Sequence, residues 1–321
     1  MRPFFFRLAL AAGAAGCVSA AALAAPAGFE ILHQGTAHEA LFCMASDGDD
    51  LIAVGAPGLL FESADGGATW AAGTDVTPDG ALLGCRLKRG LGLVVGQRGA
   101  IFRKDGAGWT RIPPVTDARL FAVDMNAAGL AVAVGAFGTL LVSDDAGKSW
   151  SPVTYDWSST NGEGFQPHVY GVSVAGDGTI TIVAEFEAIL QSTDGGRRWT
   201  VVHKGNASLF DVAIGDDGIG YAVGQDGRVL RTRDGGTTWD PVASGIKANL
   251  LGVSRGAAGS VLVTGLRSML VGSDAADRFT SVTPGDVATG WYQAVVSIDA
   301  KRWLAAGNAG RVVRLAAGAD R

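Results

Sequence analysis

Short apolar runs, separated by turns rich in glycine and aspartate, recur along the chain. In its full form the repeat reads as a Val-Gly pair, a short turn, an apolar run, an Asp-Gly turn and a tryptophan. Apolar runs bounded by turn residues in this way predict β-strands. Seven copies align, the four clearest first, at residues 54–70, 134–150, 183–199, 223–239, 95–109, 264–279 and 306–315.

A further apolar stretch precedes each copy, so each unit predicts four antiparallel strands. These stretches lie at residues 41–45, 82–87, 120–125, 169–174, 209–214, 250–254 and 291–298. The units begin about forty residues apart, which is typical of the blades of a propeller. One twisted sheet cannot bury both of its faces, but a closed ring of sheets can. We therefore predict an all-β fold, a seven-bladed β-propeller, formed as a single domain by residues 25–321.

The two ends of the repeat array predict how the ring closes. The seventh unit stops at Ala316 and Ala317 and lacks the strand that follows the Asp-Gly turn in other units. An apolar segment, Phe29 to Leu32, precedes the first unit. Because an open sheet edge is a liability, we expect this N-terminal strand to complete the last blade.

Four units carry a turn with the spacing Ser/Thr-x-Asp-x-Gly-x-x-Trp, the pattern of an Asp-box. The aspartate can accept hydrogen bonds from turn amides, the glycine supplies a left-handed conformation, and the tryptophan buries a large ring. An acidic residue that recurs in most repeats is predicted to be structural rather than catalytic. The aspartate and tryptophan pairs are Asp65 and Trp70, Asp145 and Trp150, Asp194 and Trp199, and Asp234 and Trp239. Blades two and six have degenerate turns.

With these motifs the chain resembles the photosystem II assembly and stability factor-like propellers, which carry bacterial-neuraminidase-type (BNR) Asp-box repeats. The resemblance covers about residues 29–318 and rests on the pattern VG-x-x-G…S-x-DGG-x-TW. It implies an exported, seven-bladed, non-enzymatic protein that acts on the assembly of membrane complexes.

The N-terminus is typical of a secretory signal. Residues 1–24 combine Arg2 and Arg7 with an apolar stretch and a small-residue site at Ala22 to Ala24. Lipoprotein processing at Cys17 is an alternative. Beyond residue 24 no apolar run approaches the length that a membrane helix needs. We expect a periplasmic or secreted protein without a membrane span.

Charge and composition narrow the partners. The formal net charge is −5, and loss of Arg2 and Arg7 with the signal would make it −7. An acidic protein without clustered lysine and arginine is a poor nucleic-acid binder. The four histidines are scattered over different units, so we predict no metal site and no cofactor. We expect a monomer that binds an exported or membrane protein complex.

Cys43 and Cys85 remain once the signal is removed, which suggests a disulfide in an oxidising compartment. They occupy aligned inner strands one register apart, so their side chains face opposite sides of their blades. Either they point towards each other across the seam between blades one and two, or they point away.

The repeat is broken at one place, between the third and fourth units, by an insertion that covers residues 155–168. The next top turn also departs from the pattern, reading Glu-Phe-Glu. Aromatic and acidic side chains on extended loops favour an interaction site. The candidate partner-binding residues are Tyr155, Trp157, Glu163, Phe165, His168, Glu185, Phe186 and Glu187. Alternatively, Trp157 and Phe165 fold the loop onto the rim.

Three arginines at other top turns, Arg98, Arg228 and Arg267, suggest either a cationic patch or ordinary solvated side chains. For function, the principal hypothesis is a non-enzymatic scaffold that binds a protein through this top face. The alternative is a sialidase-like glycoside hydrolase or carbohydrate-binding propeller, because Asp-boxes also occur in those enzymes. We find no tyrosine–glutamate pair or arginine triad in the sequence, so we predict no enzymatic activity.

Overall fold

A computed structural model describes residues 26–73, 78–106, 108–161, 165–256, 258–300 and 302–317. This part of the chain forms seven antiparallel sheets of four strands each, as the repeats predict. The proposed signal segment, residues 1–24, lies outside the described residues.

The strands follow one another in chain order. The first half contains β1 (Pro26–His33), β2 (Ala40–Asp47), β3 (Asp50–Ala56), β4 (Leu60–Ser63), β5 (Ala71–Ala72), β6 (Leu82–Lys88), β7 (Leu91–Gly96), β8 (Ile101–Asp105), β9 (Gly108–Ile112), β10 (Leu120–Met125), β11 (Ala131–Gly135), β12 (Leu140–Ser143) and β13 (Ser151–Pro152). The second half contains β14 (Val169–Val174), β15 (Ile180–Ala184), β16 (Ile189–Ser192), β17 (Thr200–His203), β18 (Leu209–Ile214), β19 (Gly220–Gly224), β20 (Val229–Thr232), β21 (Asp240–Pro241), β22 (Leu250–Arg255), β23 (Ser260–Gly265), β24 (Ser268–Ser273), β25 (Thr280–Val282), β26 (Tyr292–Ser297), β27 (Arg302–Gly307) and β28 (Val312–Ala317).

Blades one to six each consist of four consecutive strands, starting from β2. Helical structure in the described residues is confined to α1 (Ser158–Asn161) and the single 3-10 turns Gln97–Gly99, Glu185–Glu187 and Gln225–Gly227. The first strand of each blade lines a central channel, and the last strand lies at the rim. No helix in these ranges has the length and apolar character that a bilayer crossing requires.

Blade seven combines both ends of the chain. Its strand order is β1-β28-β27-β26, and β1 pairs antiparallel with β28, with Phe29 opposite Leu315 and Ile31 opposite Val313. Phe29 packs into the hydrophobic cluster shared with blade six, and Leu32 packs into the cluster shared with blade one. The predicted closure of the ring by the N-terminal strand is therefore confirmed.

The core is divided among the seams between blades. Buried side chains of the described residues form seven hydrophobic clusters, and each cluster joins two neighbouring blades. Between blades two and three, for example, Leu93 packs with Leu141 and the Asp-box tryptophan Trp150. The other Asp-box tryptophans occupy equivalent places on the preceding blade, namely Trp70, Trp199 and Trp239.

Each Asp-box is a closed network of hydrogen bonds. In blade three, the Ser143 hydroxyl donates to Asp145 Oδ1 at 2.8 Å and accepts the Gly147 N–H at 2.9 Å. Asp145 Oδ1 also accepts the N–H groups of Lys148 and Ser149. These bonds, above all the one from the Ser149 hydroxyl, lower the pKa of Asp145 to about 2. The same network surrounds Asp65, Asp194 and Asp234.

The two degenerate turns use ion pairs instead. In blade two, Lys104 Nζ lies 2.6 Å from Glu62 of blade one. In blade six, the Arg255 guanidinium bridges Asp217 of blade five and Asp274, at 2.7 and 2.6 Å. Charged pairs thus connect neighbouring blades where the Asp-box has been lost.

Polar and covalent contacts also join the inner strands around the channel. Cys43 and Cys85 form a disulfide across the seam between blades one and two, with their Cα atoms 5.8 Å apart. Their side chains therefore point towards each other. Asp124 Oδ2 accepts the Val174 N–H of blade four at 2.7 Å, and Asp211 Oδ2 accepts the Val253 N–H of blade six at 2.9 Å.

Replacing Phe29 with alanine tests the closure. We expect the Phe29→Ala variant to lose about 2 kcal/mol of unfolding free energy, because it removes a half-buried ring from the seam with blade six. Ile31→Thr on the same strand is the control and should change stability by no more than about 0.5 kcal/mol, since Ile31 is exposed. Urea denaturation measures both. Equal effects of the two substitutions would contradict the assigned packing of β1.

Asp211 predicts an unusual pH dependence. Burial raises the pKa of Asp211 from 3.8 to about 7, so the folded protein keeps a proton that the unfolded chain releases. Stability should therefore fall as the pH rises through this interval. An amide cannot ionise, so the unfolding free energy of Asp211→Asn should not fall in this way. Relative to the wild type it should rise by up to about 4 kcal/mol between about pH 4 and pH 8.

The Asp-box residue Asp234 supplies a control of opposite sign. Hydrogen bonds from Thr238 lower the pKa of Asp234. The ionised Asp234 carboxylate stabilises the fold fully at any pH above the pKa that it has in the unfolded chain. This stabilisation is lost as the pH falls through the lower pKa of Asp234 in the folded protein. Asp234→Asn should therefore be most destabilising at neutral pH. A pH-independent difference between Asp211→Asn and the wild type would refute the raised pKa of Asp211.

Candidate functional site: the aromatic top face

The two faces of the ring are built from different turns. On the bottom face the Asp-box turns meet the turns between the first two strands, as in the 3.0 Å bond from the Gly66 N–H to Asp49 O. On the top face the turns between the second and third strands meet the crossings between blades, as in the 2.9 Å bond from the Gly99 N–H to Ala118 O. The insertion at residues 155–168 is one of these crossings and lies on the top face.

Exposed apolar side chains are concentrated on the top face. Among the described residues, five of the six exposed large hydrophobic side chains lie there, and Ile31 on β1 is the sixth. The most exposed are Phe137 at 67%, Phe165 at 51% and Phe186 at 47%. The other two are Val115 and Leu266. Since the charged Asp-boxes occupy the bottom face, the two faces differ in chemical character.

The tips of the top turns are strained. In blades two to seven the second residue of this turn is not glycine but has φ between 51° and 61°. A left-handed conformation costs an ordinary residue about 1–2 kcal/mol. Such strain clusters at functional positions, and glycine would avoid it. These tip residues are Arg98, Phe137, Phe186, Asp226, Arg267 and Ala309.

Trp157 lies in the core and not at the surface. Its side chain is only 4% exposed and packs with Leu140 and Val169 in the seam between blades three and four. The ring also fills the space under the top turn of blade three, where a Cβ atom on Gly138 would clash with it. The assignment of Trp157 to the partner-binding surface is therefore wrong, because the ring folds the inserted loop onto the rim.

Tyr155 supports this anchor. Its ring meets Trp157 edge to face with centroids 4.8 Å apart, and its hydroxyl lies 3.0 Å from Thr160 Oγ1. Glu163, also predicted to contact a partner, lies outside the described residues.

The end of the insertion ties two top turns together. The Gly138 N–H donates to Pro167 O at 2.8 Å, and the Phe137 N–H donates to His168 Nδ1 at 3.1 Å. The His168 N–H in turn donates to Glu185 Oε2 at 2.9 Å. The inserted loop thus fixes the turns of blades three and four relative to each other.

Phe165 and Phe186 form an exposed pair. Their rings meet nearly at right angles, with centroids 5.9 Å apart. Phe165 comes from the insertion and Phe186 from the tip of the blade-four turn. The structure therefore brings together two predicted contact residues that lie on different segments.

Glu187 is buried, although it was predicted to face a partner. It holds a glycine-like φ of 48°, and its carboxylate accepts the Asn206 N–H at 3.1 Å. Arg228 Nε lies 3.1 Å and His203 Nε2 3.5 Å from the same carboxylate. Glu187 therefore stabilises the turn that presents Phe186, and its assignment as a contact residue is corrected.

The same contact changes the view of the predicted cationic patch. Arg228 forms a salt bridge with Glu187, so its guanidinium is not available to an acidic partner while that salt bridge is in place. In the described residues, Arg98 and Arg267 form no salt bridge. Arg119, which the sequence did not suggest, also has none and lies near Arg98.

The channel opens on the top face through an apolar ring. Six of the seven blades place a large, half-buried apolar side chain at this mouth, and blade seven places Gln293 there. Below the mouth, a cavity of about 490 Å³ is lined with polar groups that include Arg86 and Asp124. The apolar residues of the mouth are Phe42, Leu83, Phe121, Tyr170, Phe210 and Leu251.

A second cavity, of about 580 Å³, lies beside the mouth, between the top turns of blades two and three. We call it the Phe137 pocket. Its lining residues are Gln97, Arg98, Asp117, Ala118, Arg119, Phe121, Ala136, Phe137 and His168. Of these, only His168 was among the predicted contact residues.

The fold has solved counterparts of low sequence identity. The chain is similar to "YCF48 bound to D1 peptide" with a TM-score of 0.71 and 16% identity, over 94% of this chain and 99% of that chain. It is similar to YCF48 from Cyanidioschyzon merolae with a TM-score of 0.72 and 19% identity, over 90% and 99%. The WD40 β-propeller domain of Doa1 gives a TM-score of 0.70 and 14% identity, over 90% and 97%.

No protein-family model matches the sequence, and no curated protein matches it. At these identities the solved structures show the fold. The resemblance predicted from the repeats is thus confirmed at the level of the fold.

Sequence reasoning missed one tyrosine–glutamate contact. Tyr170, on the inner strand of blade four, lies close enough to Glu185 on the top turn of the same blade for the two side chains to interact electrostatically. Burial, reinforced by the Glu185 carboxylate, raises the pKa of Tyr170. Tyr170 is therefore protonated at neutral pH, and it could act as a nucleophile only if Glu185 took its proton. The pairing of β14 with β15, which places Val169 opposite Ala184, brings the two residues together.

Trp157 and Phe165, both in the insertion, should respond differently to truncation. Trp157→Ala should lower the unfolding free energy by about 3–5 kcal/mol, because it empties a core position. Phe165→Ala should change it by less than about 1 kcal/mol, since half of that side chain is exposed. Chemical denaturation of both variants measures these changes. Comparable losses of unfolding free energy would contradict the assignment of Trp157 to the core and of Phe165 to the surface.

Proposed function

We propose that the protein is a non-enzymatic, exported scaffold that binds another protein through the top face around blades three to five. The concentration of exposed apolar side chains on this face carries the proposal. Large apolar patches on a protein surface mark interaction sites, and aromatic side chains dominate binding energy at such sites. The revised contact set contains Phe137, Phe165, His168, Glu185 and Phe186.

The strained turn tips support the same face. Phe137 and Phe186 occupy left-handed positions where glycine would fold at lower cost. Buried contacts with Trp157 and Glu187 hold these two turns in place. A rigid aromatic display lowers the entropy lost on binding.

The solved neighbours add a precedent for the kind of partner. One of them is YCF48 with a D1 peptide bound, so a propeller of this architecture does bind a polypeptide. We extend this to the present chain as a proposal, with an exported or membrane protein complex as the partner. Export depends on residues 1–24 serving as a signal, and we propose that the mature protein acts as a monomer in the periplasm or outside the cell.

The alternative, a sialidase-like hydrolase, has one specific observation in its favour, the contact between Tyr170 and Glu185. The sequence contains no recognisable arginine triad for a substrate carboxylate, which speaks against it. We expect no turnover of sialosides or other fluorogenic glycosides by the purified protein. Turnover that Tyr170→Phe abolishes and a Tyr155→Phe control retains would establish the hydrolase instead.

Glycine substitutions at the turn tips separate binding from stability. The double variant Phe137→Gly with Phe186→Gly should fold with a stability within about 1 kcal/mol of the wild type or above it, because strain is relieved. It should nevertheless fail to retain the partner in affinity capture from the envelope fraction of the source organism. The partner recovered with wild type is then purified and its affinity measured directly.

A matched control uses two other tips on the same face. Arg267 and Ala309 have φ values of 51° and 57°, similar to those of the two phenylalanines. Arg267→Gly with Ala309→Gly should leave the affinity unchanged. If the phenylalanine variant keeps full affinity while correctly folded, the proposed surface is not the binding site.

A further inference from the structure

The Phe137 pocket has a chemistry that identifies its occupant. We propose that this pocket binds one aromatic or large aliphatic side chain of an extended segment of the partner protein, together with a carboxylate two residues along the same segment. The inference deepens the proposed function and rests on it, because it assigns the class of sequence that the top face recognises.

The size and position of the pocket suit one side chain of a bound segment. Its volume is about 580 Å³, within the usual range of ligand pockets. It lies between the top turns of blades two and three, and His168 closes it on the side of blade four. Phe121, which it shares with the apolar channel mouth, forms its inner wall. A segment that crosses the top face can therefore place one side chain in it.

Three rings form the apolar wall. His168 meets Phe137 at a centroid distance of 5.0 Å and Phe121 at 5.8 Å, both edge to face. Edge and face positions remain open because the Phe137 ring is 67% exposed. Another ring or a branched aliphatic group would cover this exposed surface and gain contact area.

The wall is preformed. Trp157 supports the turn from below, and Pro167 and His168 accept the N–H groups of Gly138 and Phe137. These bonds fix the backbone that carries the Phe137 ring at the edge of the pocket. A pocket that is ordered before binding loses little entropy when it is filled.

The polar side of the pocket is rich in donors. Arg98 and Arg119 line it, are exposed, and form no salt bridge or side-chain hydrogen bond within the described residues. His168 Nδ1 accepts the Phe137 N–H, so the neutral ring carries its proton on Nε2 as a further donor. Asp117 is the one carboxylate in the lining. Two guanidinium groups against one carboxylate favour an anionic group of the occupant.

This combination favours a polypeptide over a membrane surface. A bilayer would need several apolar side chains to insert from one plane, but the Phe137 pocket gathers its rings and arginines around one half-open cavity. In an extended segment the side chains two positions apart point to the same side, about 6–7 Å from each other, so an acidic residue two positions from an apolar one supplies both groups. Vesicle binding is accordingly an outcome of the test that would count against the proposal.

Four synthetic octapeptides test the assignment, each with a dye and a Ser/Thr-rich background. Their central triplets are Phe-Ser-Glu, Phe-Ser-Lys, Ser-Ser-Glu and Ser-Ser-Lys, and we call the peptides Phe-Glu, Phe-Lys, Ser-Glu and Ser-Lys after the first and third residues. Fluorescence anisotropy measures their binding to the full-length mature protein. The Phe-Glu peptide should bind at least about tenfold more tightly than each of the others. The proposal would be overturned if Phe-Lys or Ser-Glu bound as tightly as Phe-Glu. It would also be overturned if none of the four peptides bound with a dissociation constant below about 1 mM.

Variants locate the binding in the pocket. Phe137→Gly should weaken the Phe-Glu peptide about tenfold, and Arg119→Gln should weaken Phe-Glu about tenfold but leave Phe-Lys unchanged. Leu266→Ser and Arg267→Gln, an exposed apolar residue and an unpaired arginine on the blade-six turn, are the matched controls and should have less than about a twofold effect. Equal effects of the pocket and control variants would rule out the pocket as the site.

Two further results separate this inference from the proposed function. If Phe186→Gly abolishes partner capture while Phe137→Gly and Arg119→Gln leave it intact, the scaffold stands and the pocket assignment falls. Vesicles of phosphatidylglycerol and phosphatidylcholine provide the membrane arm. Flotation with such vesicles that Phe137→Gly abolishes, combined with no peptide binding, would reassign the top face to a lipid surface.

Discussion

Hydrogen bonding between β1 and β28 is the contact on which the rest of the structure depends. Each blade buries its faces only against its two neighbours, so the seven hydrophobic clusters exist only while the ring is closed. β1 supplies Phe29 to one seam and Leu32 to the next, and it covers the edge of β28. A local pairing of the chain ends therefore stabilises contacts throughout the molecule, including those that position the top turns.

The two faces divide structural and recognition roles. On the bottom face, the Asp-box carboxylates accept the amides of their own turns and leave little capacity for a ligand. On the top face, the turn tips hold non-glycine residues in a costly conformation and direct phenylalanine rings into solvent. Trp157 and Glu187 make this display rigid from below, although both looked like contact residues in the sequence. Buried supports and exposed rings thus belong to one sector, between blades three and four.

The sequence predicts the architecture well because its repeats are local. Blade number, strand number and ring closure all follow from spacing, and the structure confirms them. The candidate site was harder to predict, since burial depends on contacts between blades. Nothing near Trp157 in the chain shows that the missing Cβ of Gly138 leaves space for its ring. The Phe137 pocket likewise combines residues from two turns, two crossings and the strand β10. The only signal in the sequence was a phenylalanine at a turn tip.

Native-state hydrogen exchange followed by mass spectrometry tests the closure of the ring most directly. If the ends of the chain hold the propeller together, the amides of β1 and β28 should exchange only with global unfolding. Their opening free energy should then match that of the inner strand β10 in blade three. Exchange of β1 at a much lower free energy, while β10 stays protected, would show that the ring stands without its N-terminal strand and would contradict the account.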